Sequence, residues 1–531
     1  MTEITGDIKS GDYISAGRAS KKVKDALKRI GADPAAVRRA MVAAYEAEMN
    51  VVIHAQDGTL RAAVTPDTLE VLVSDGGPGI ENIEQAVREG YSTAPPEARE
   101  LGFGAGMGLP NIQRNADRFS IYSEVGKGTR LHFTVFLKAQ TEASVHASSV
   151  SITPAECKRC LRCLHVCPTQ AIRIRDSAPI ILPHLCVGCA ACRAVCPEKV
   201  YDINCPDELP EPDKNATLVV PAALRGQFGR FLSGAALRDT LHAMGWDTVW
   251  FSDPWEEALA DAVTRYASES NHAGPILSPV CPAVVNLIQV RYPSLLSNIP
   301  PFLTALESAR NSLHSGHGVF VVPCAAQCSL VQEVNALHPA VAVSPNALLR
   351  ALTAAIKDCD DGANPPVPSA QEEGRRPKVV AISGVDRVCQ FLDEMEDERV
   401  NDCGIVALYA CDSGCFGAPV WPEHPEVSRY RSMTTERQHH ASGRALYRPK
   451  PLAPRAGLRL DADMQRAIEK LAQIDRIRDT LPGRDCGVCG SPTCLALAED
   501  IVMNRTDADA CVYKKQHPQK PRQKRGKETT S

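Results

Sequence analysis

The sequence predicts several α/β and α+β domains strung along one chain, and three observations predict it. Its 531 residues exceed what one hydrophobic core organises, and length divided by about 150 gives three to four domains. Short apolar runs alternate with helical patterns in two long stretches, the rhythm of α/β units. Between and after these stretches, eight of the 21 cysteines fall in C-x2-C spacings, where neighbouring thiolates converge on one metal centre.

Composition narrows the function classes. Lys and Arg number 59 against 63 Asp and Glu, a net charge of −4, which argues against a dedicated nucleic-acid binder with its strongly basic face. The 44% hydrophobic and 23% charged content reads as globular. There is no run of about 18 apolar residues to make a membrane span. The start, MTEITGDIKSGDY, lacks an apolar stretch behind a basic one, so no secretory signal is expected. The expected location is the cytoplasm, where thiols stay reduced. The cysteines are therefore read as metal ligands rather than disulfides.

The first domain is expected over residues 1–140. Asp33-Pro34 suits a helix cap followed by proline at the first helical position. Leu69, Val71 and Val73 alternate as one face of a strand, as do Leu131, Phe133 and Val135. Three stations in this domain match one chemistry. On a helix, Glu46-x3-Asn50-x3-His54 share a face, so an Asn amide can bind Mg2+ with a carboxylate one turn away. Asp75-Gly76-Gly77-Pro78-Gly79 follows the strand LEVLVS, where an Asp can accept from an adenine amine. Gly102, Gly104, Gly106 and Gly108 in GFGAGMGL leave N–H groups free for phosphates before a helix starting near Leu109. Gly126-Lys127-Gly128-Thr129 closes the set.

In order and spacing these stations resemble the GHKL fold of histidine kinases and gyrase-type ATPases, an α/β sandwich, and most closely the anti-sigma-factor serine kinases. The resemblance implies ATP and Mg2+ as ligands, Glu46 as general base, Asn50 as the Mg2+ ligand and Asp75 as the adenine anchor. Gly77, Gly79 and Thr129 would line the nucleotide, and residues 80–108 would form a lid. No dimerisation helix with a phosphoacceptor His precedes the domain, so histidine self-phosphorylation is not expected. A protein substrate or an anti-anti-sigma-like partner is.

A small, polar linker is expected over 138–152, then a module over 148–205 with little apolar periodicity, which needs its metal to fold. It carries Cys157-x2-Cys160-x2-Cys163-x3-Cys167-Pro168 and then Cys186-x2-Cys189-x2-Cys192-x3-Cys196-Pro197. Zinc is the competing metal, but the doubled run resembles a bacterial two-cluster ferredoxin. That implies one 4Fe-4S cluster on Cys157, Cys160, Cys163 and Cys196, and another on Cys186, Cys189, Cys192 and Cys167.

After an acidic, Pro-rich connector at 206–215, an α/β domain is expected over 216–440, interrupted by a loop at 359–377. Three cysteine stations stand in it: SPVCP at Cys281, VPCAAQ at Cys324 and ACDSGC at Cys411 and Cys415. They resemble the large-subunit core of iron-only hydrogenases and imply a further cubane on those four thiols. The departures matter more. Val280 stands where that family relays protons through a cysteine, Gln327 where a lysine holds a two-iron unit, and Leu330 at a glutamate position. A valine passes no proton and a glutamine brings no charge, so hydrogen turnover is disfavoured. Cys328 is either an alternative ligand or a buried thiol, and Cys205, Cys359, Cys389 and Cys403 are expected to pack as small apolar groups.

A last domain is expected over 461–513, its first helix capped by Asp461. Along that helix Met464, Ala467, Ile468, Leu471, Ile474 and Ile477 form a stripe suited to packing on a neighbour. Cys486-x2-Cys489-x4-Cys494-x16-Cys511 follows. Spacing alone leaves zinc open, but the set resembles the small four-cysteine 4Fe-4S domain of membrane redox pumps and corrinoid iron–sulfur proteins. Residues 514–531 read as a solvated basic tail. Together the resemblances suggest a hydrogenase-related regulator in which cluster redox state acts on a kinase-like ATPase, with a ferredoxin, a hydrogenase or a similar donor as redox partner. The competing reading is an electron-transfer oxidoreductase that uses ATP as driver.

Overall fold

The computed structural model describes residues 2–96, 98, 104–139, 149–228, 234–270, 274–313, 317–332, 339–356, 379–397, 399–400, 403–434 and 443–513. Gly102, Cys359, the 359–377 loop, most of the 138–152 linker and the 514–531 tail lie outside the described residues.

In the first domain the strands Thr2–Lys9 (β1), Asp57–Val64 (β2), Thr68–Asp75 (β3), Arg118–Glu124 (β4) and Gly128–Phe136 (β5) form an antiparallel sheet in the order β1-β2-β3-β5-β4. The alternation read from sequence sets its faces. Leu69, Val71 and Val73 point inward with Leu131, Phe133 and Val135, while Glu70 and Leu72 face out. Helices Arg18–Ile30 and Pro34–His54 cover the inner face. Asp33 caps the second, its carboxylate accepting from the Ala35 and Ala36 amides.

The next module consists of two small antiparallel pairs, Val150–Ile152 (β6) with Tyr201–Ile203 (β9), and Ile172–Arg175 (β7) with Ala178–Ile181 (β8). Its two halves repeat one backbone path. Arg159 and Gly188, Leu161 and Ala190, and Gln170 and Lys199 hold matching positions in the doubled motif, all at positive φ. Five of the six are not glycine, a conformation that persists only where the surroundings over-determine it.

The central domain holds two parallel sheets. One runs in the order Thr248–Phe251 (β11), Ala216–Val220 (β10), His317–Val321 (β13), Ala340–Val343 (β14). The other runs Ile276–Ser278 (β12), Ile405–Tyr409 (β16), Val379–Ser383 (β15). Their strands are almost continuously apolar, as expected where both faces are covered.

The last segment does not stand apart. Helix Met464–Arg478 lays its apolar stripe on the first domain, so that Met464, Ala467, Ile468, Leu471 and Ile474 join the same core as Val23, Leu27 and Ile30. Its cap is Asp463, which accepts from the Arg466 amide, and not Asp461. Asp461 instead accepts from the Asp463 amide and pairs with Lys470, so it shapes the turn before the helix. The second helix, Cys494–Val502, is capped by Thr493. No described helix is long and apolar enough to cross a membrane.

Candidate functional sites

Glu46 and Asn50 sit on helix Pro34–His54 where it faces helix Gly108–Asn115. The Asn111 amide donates to Glu46 Oε1 at 2.7 Å, which fixes the carboxylate that a general base needs. Gly108 seats over the pair. A Cβ there would stand 3.0 Å from Asn50 Oδ1 and 3.4 Å from Glu46 Oε2, so the end of the glycine loop closes on both side chains. Burial lowers the pKa of His54 at the end of the same helix.

Asp75 ends β3, and its Oδ1 accepts from the amides of Gly77 at 2.8 Å and Thr129 at 3.3 Å. Thr129 Oγ1 lies 2.9 Å from Ser123 Oγ, which also accepts from the Ile80 amide. Gly79 at φ +75° presses on the Glu124 carbonyl, where a Cβ would lie 2.4 Å away. Gly104 and Gly106 adopt positive φ, and Gly106 packs on the Gly90 and Tyr91 backbone. A cavity of about 690 Å³ opens beside Asp75, Gly76, Gly128 and Thr129 but does not reach Glu46 or Asn50.

The cysteines of the doubled run stand close to one another. Burial raises the pKa of Cys189 well above its ordinary value, and the nearby sulfurs of Cys167, Cys192 and Cys186 add to it. Cys192 is pushed up to about 12 by the same burial, with Cys186 and Cys167 beside it. Cys163 is raised by burial and faces Cys160 and Cys157. Cys196 ends the second run beside this group, packed on the same small core as Cys157 and Cys163.

In the central domain Cys281 follows β12, Cys324 follows β13, and Cys411 and Cys415 follow β16. Parallel strands thus deliver all four from their carboxyl ends, where open α/β sheets bind ligands. Burial raises Cys324 to about 12, and Cys281 is its strongest charged neighbour. Cys415 is driven far up by burial with Cys281, Cys324 and Cys411 facing it. Amides of Ala283 and Val284 point at the Cys281 sulfur, and those of Ala326 and Gln327 at the Cys324 sulfur.

Four half-buried thiols without a disulfide, two of them met by amide donors, suit a group that needs thiolates. The Gln327 amide reaches Cys415 Sγ at 3.7 Å, and Val280 packs among apolar side chains. Cys328 belongs to neither set. It is fully buried, donates to the Asn204 carbonyl and shares a side-chain hydrogen bond with Cys205. Cys389 and Cys403 pack against the central core.

The terminal cysteines Cys486, Cys489, Cys494 and Cys511 line one small enclosed cavity with Gly487, Leu497 and Tyr513. Among the described residues no three His, Cys, Asp or Glu close around a single ion, and a cubane holds its four sulfurs wider than one ion would.

Several residues of these sites were not read from the sequence. Asn111 stands three residues into the helix that follows the glycine loop, a place a pattern search could find. Arg455 lies in an irregular segment and is only 4% exposed, with its Nε unpartnered. The opposing charge that faces it is the Cys186 sulfur. Asp500 is fully buried and pairs with Arg173 at 2.5 Å and Arg175 at 2.7 Å, more than 300 positions away in the chain.

Comparison with known proteins fits this geometry. Residues 11–135 match the family of histidine kinase-like ATPase domains. The first domain is a histidine kinase-like ATPase domain. Residues 156–201 match the 4Fe-4S dicluster family, and 481–513 an Fe-S cluster family.

The ATPase domain is 28% identical over 131 residues to the serine/threonine-protein kinase RsbT of Bacillus subtilis, covering 24% of this chain and 90% of that one. It is 33% identical over 96 residues to the anti-sigma F factor of Clostridium perfringens, 18% of this chain. The match spans 61% of that factor's length. Among solved structures, an apo FeFe-hydrogenase variant from Chlamydomonas reinhardtii aligns with 50% of this chain and 91% of its own, at 12% identity and a TM-score of 0.34. The chain therefore joins an ATPase domain to iron–sulfur domains.

Proposed function

We propose that this protein is a redox-responsive regulator, in which the electron count of its clusters sets the activity of a serine kinase-like ATPase domain. The observation that carries the reading is the position of helix Arg18–Ile30. At its start the Glu48 carboxylate, two residues from both Glu46 and Asn50, accepts from the Ala19 amide at 3.2 Å and the Ser20 amide at 2.8 Å. Along its other side Lys24 and Lys28 pair with Glu396 and Asp397 of the central domain, and Arg29 pairs with Glu499 of the terminal one. One helix thus touches the nucleotide helix and two cluster-bearing domains.

In this reading Asn50 holds Mg2+, Asp75 anchors adenine, and Gly77, Gly79, Gly104, Gly106, Gly108 and Thr129 shape the nucleotide pocket together with Gly102. Glu46, oriented by Asn111, takes the proton from a hydroxyl of a partner protein as the γ-phosphoryl group moves to it. Cys157, Cys160, Cys163 and Cys196 hold one 4Fe-4S cluster and Cys186, Cys189, Cys192 and Cys167 a second. Cys281, Cys324, Cys411 and Cys415 hold a third, and Cys486, Cys489, Cys494 and Cys511 a fourth. These clusters take up and release single electrons.

The relatives suggest a partner of the anti-anti-sigma type, and the clusters a one-electron donor protein. Gln327 and Val280 speak against hydrogen turnover in the central domain. The experiment is ATP turnover and partner phosphorylation by anaerobic protein, oxidised and reduced, with hydrogen measured in parallel. Rates that change with redox state support the reading, and identical rates defeat it. ATP consumed in step with electron delivery and without a phosphoprotein would favour the ATP-driven oxidoreductase.

A further inference from the structure

Of the four cysteine sets, one is built into the ATPase domain itself. Cys511 belongs to the continuous apolar core that also holds Val23, Leu27 and Ile30, and Cys489 and Cys494 pack against that core. The proposed ligand cysteines of the doubled module and of the central domain, Cys160 and Cys415 aside, pack in other clusters of side chains. The central domain does touch helix Arg18–Ile30, through Glu396 and Asp397. That contact comes mainly from helix Val385–Glu396 and its cap Asp397, which carry none of the sixteen proposed ligands. The Arg291 carbonyl also accepts from Lys28 at 2.8 Å, but it stands at the far end of the ten-residue helix that Cys281 caps.

Helix Cys494–Val502 is built differently. It begins at a ligand, with the Cys494 amide bonded to Asp485 at 2.6 Å. One turn on, Leu497 and Ala498 are buried in the ATPase core. Glu499 then pairs with Arg29 at 3.4 Å, and Asp500 anchors the helix to Arg173 and Arg175 of the doubled module. That module also meets the terminal loop directly. The Ile174 amide donates to the Gly490 carbonyl at 2.8 Å, Arg175 reaches the Cys489 carbonyl, and Gly487 lies against His165, two residues from Cys163. At its other end the doubled module abuts the central domain, where Gly188 touches the Ala326 backbone close to Cys324.

We infer that the terminal four-cysteine set is the one that reports to the ATP site, and that helix Cys494–Val502 transmits the signal through the Glu499–Arg29 pair. The inference rests on the redox-regulator reading and names its route. The step is the gain of one electron, supplied by a reduced one-electron carrier by way of the doubled module; no bond forms or breaks. The product is one more negative charge at the Cys494 end of the helix. That charge attracts the positive N-terminal end of the helix dipole, and it acts five residues along the helix on Glu499 and hence on Arg29. Arg29 and Glu499 are positioning residues here, since neither touches nucleotide or cluster.

Linkage makes the test direct, because a redox state that changes nucleotide affinity obliges nucleotide to change the midpoint potential by the same free energy. In full-length anaerobic protein, the potential of each cluster is titrated by electron paramagnetic resonance, with and without a non-hydrolysable ATP analogue and Mg2+. Loss of one signal in Cys494→Ala assigns the terminal cluster. The expected result is a shift confined to that cluster. A coupling of about fivefold, the low end of the usual range, corresponds to about 40 mV for a one-electron couple at 59 mV per tenfold.

Both Arg29→Ala and the milder Glu499→Gln should shrink the shift while leaving the four signals in place. A shift confined to a cluster of the doubled module or the central domain overturns the inference and leaves redox regulation standing. No shift in any cluster overturns both. A terminal shift untouched by either variant overturns the Glu499–Arg29 route.

Discussion

The doubled cysteine module and the central domain hold cysteines in opposite ways. In the module, proposed ligands three and four positions apart lie in loops whose Arg159, Leu161, Gln170, Ala190 and Lys199 stand at positive φ. Its own core has only six buried residues, while Leu182, Leu185 and Val187 join the central domain's core. In the central domain the four proposed ligands are up to 134 positions apart (Cys281 to Cys415). Two parallel sheets with large apolar cores bring them together. On the proposed ligand sets, the first arrangement should need its clusters to fold, and the second should fold and then present a site. The terminal module shares both features, having short spacing and glycine-rich loops but a core borrowed from the ATPase domain.

The largest effect that follows is on iron removal. Stripping iron and sulfide should abolish amide protection across 150–203 while β10, β13 and β16 keep theirs, as read by hydrogen-exchange mass spectrometry. Retained protection across 150–203 would erase the distinction. The same contrast holds for single ligands. Cys189→Ala should unravel the doubled module, whereas Cys324→Ala should cost the central domain one cluster's iron and leave its thermal transition nearly in place.

The central domain also serves as a platform for helix Arg18–Ile30. Burial alone would push the Glu396 carboxyl up, but Lys28 and Lys24, with the Ser294 hydroxyl, outweigh it and hold it below the ordinary value. A carboxylate whose folded pKa is depressed stabilises above its unfolded pKa and loses that stabilisation as pH falls through the folded one. Glu396→Gln should therefore cost about 3 kcal/mol near neutral pH, since it strands a buried lysine, and the deficit should vanish in acid. Denaturant titration at several pH values reads both. Smallest is Thr493→Ala, which removes the bond from the Ala496 amide. About 1 kcal/mol is expected, confined to the terminal module.

Much of this was legible in the sequence wherever the information is local. The strand faces of Leu69, Val71 and Val73, the Asp33 cap and the doubled cysteine run each depend on residues a few positions apart. The departure at Gln327 was visible for the same reason. The helix cap at 463 was misplaced because Asp461 and Asp463 present the same chemistry two residues apart, and only backbone geometry chooses between them. Arg455 and the Arg173–Asp500 pair were out of reach because their partners are distant along the chain, whereas Asn111 stands at a fixed offset from the glycine loop and was open to a pattern search. The stripe on helix Met464–Arg478 announced a neighbour, but not that this neighbour was the ATPase domain.

The measurement that bears most directly on the account is the affinity of the full-length anaerobic protein for a non-hydrolysable ATP analogue with Mg2+, in its fully oxidised and fully reduced states. A difference of about fivefold or more, of either sign, is predicted. Equal affinities in the two states would contradict it.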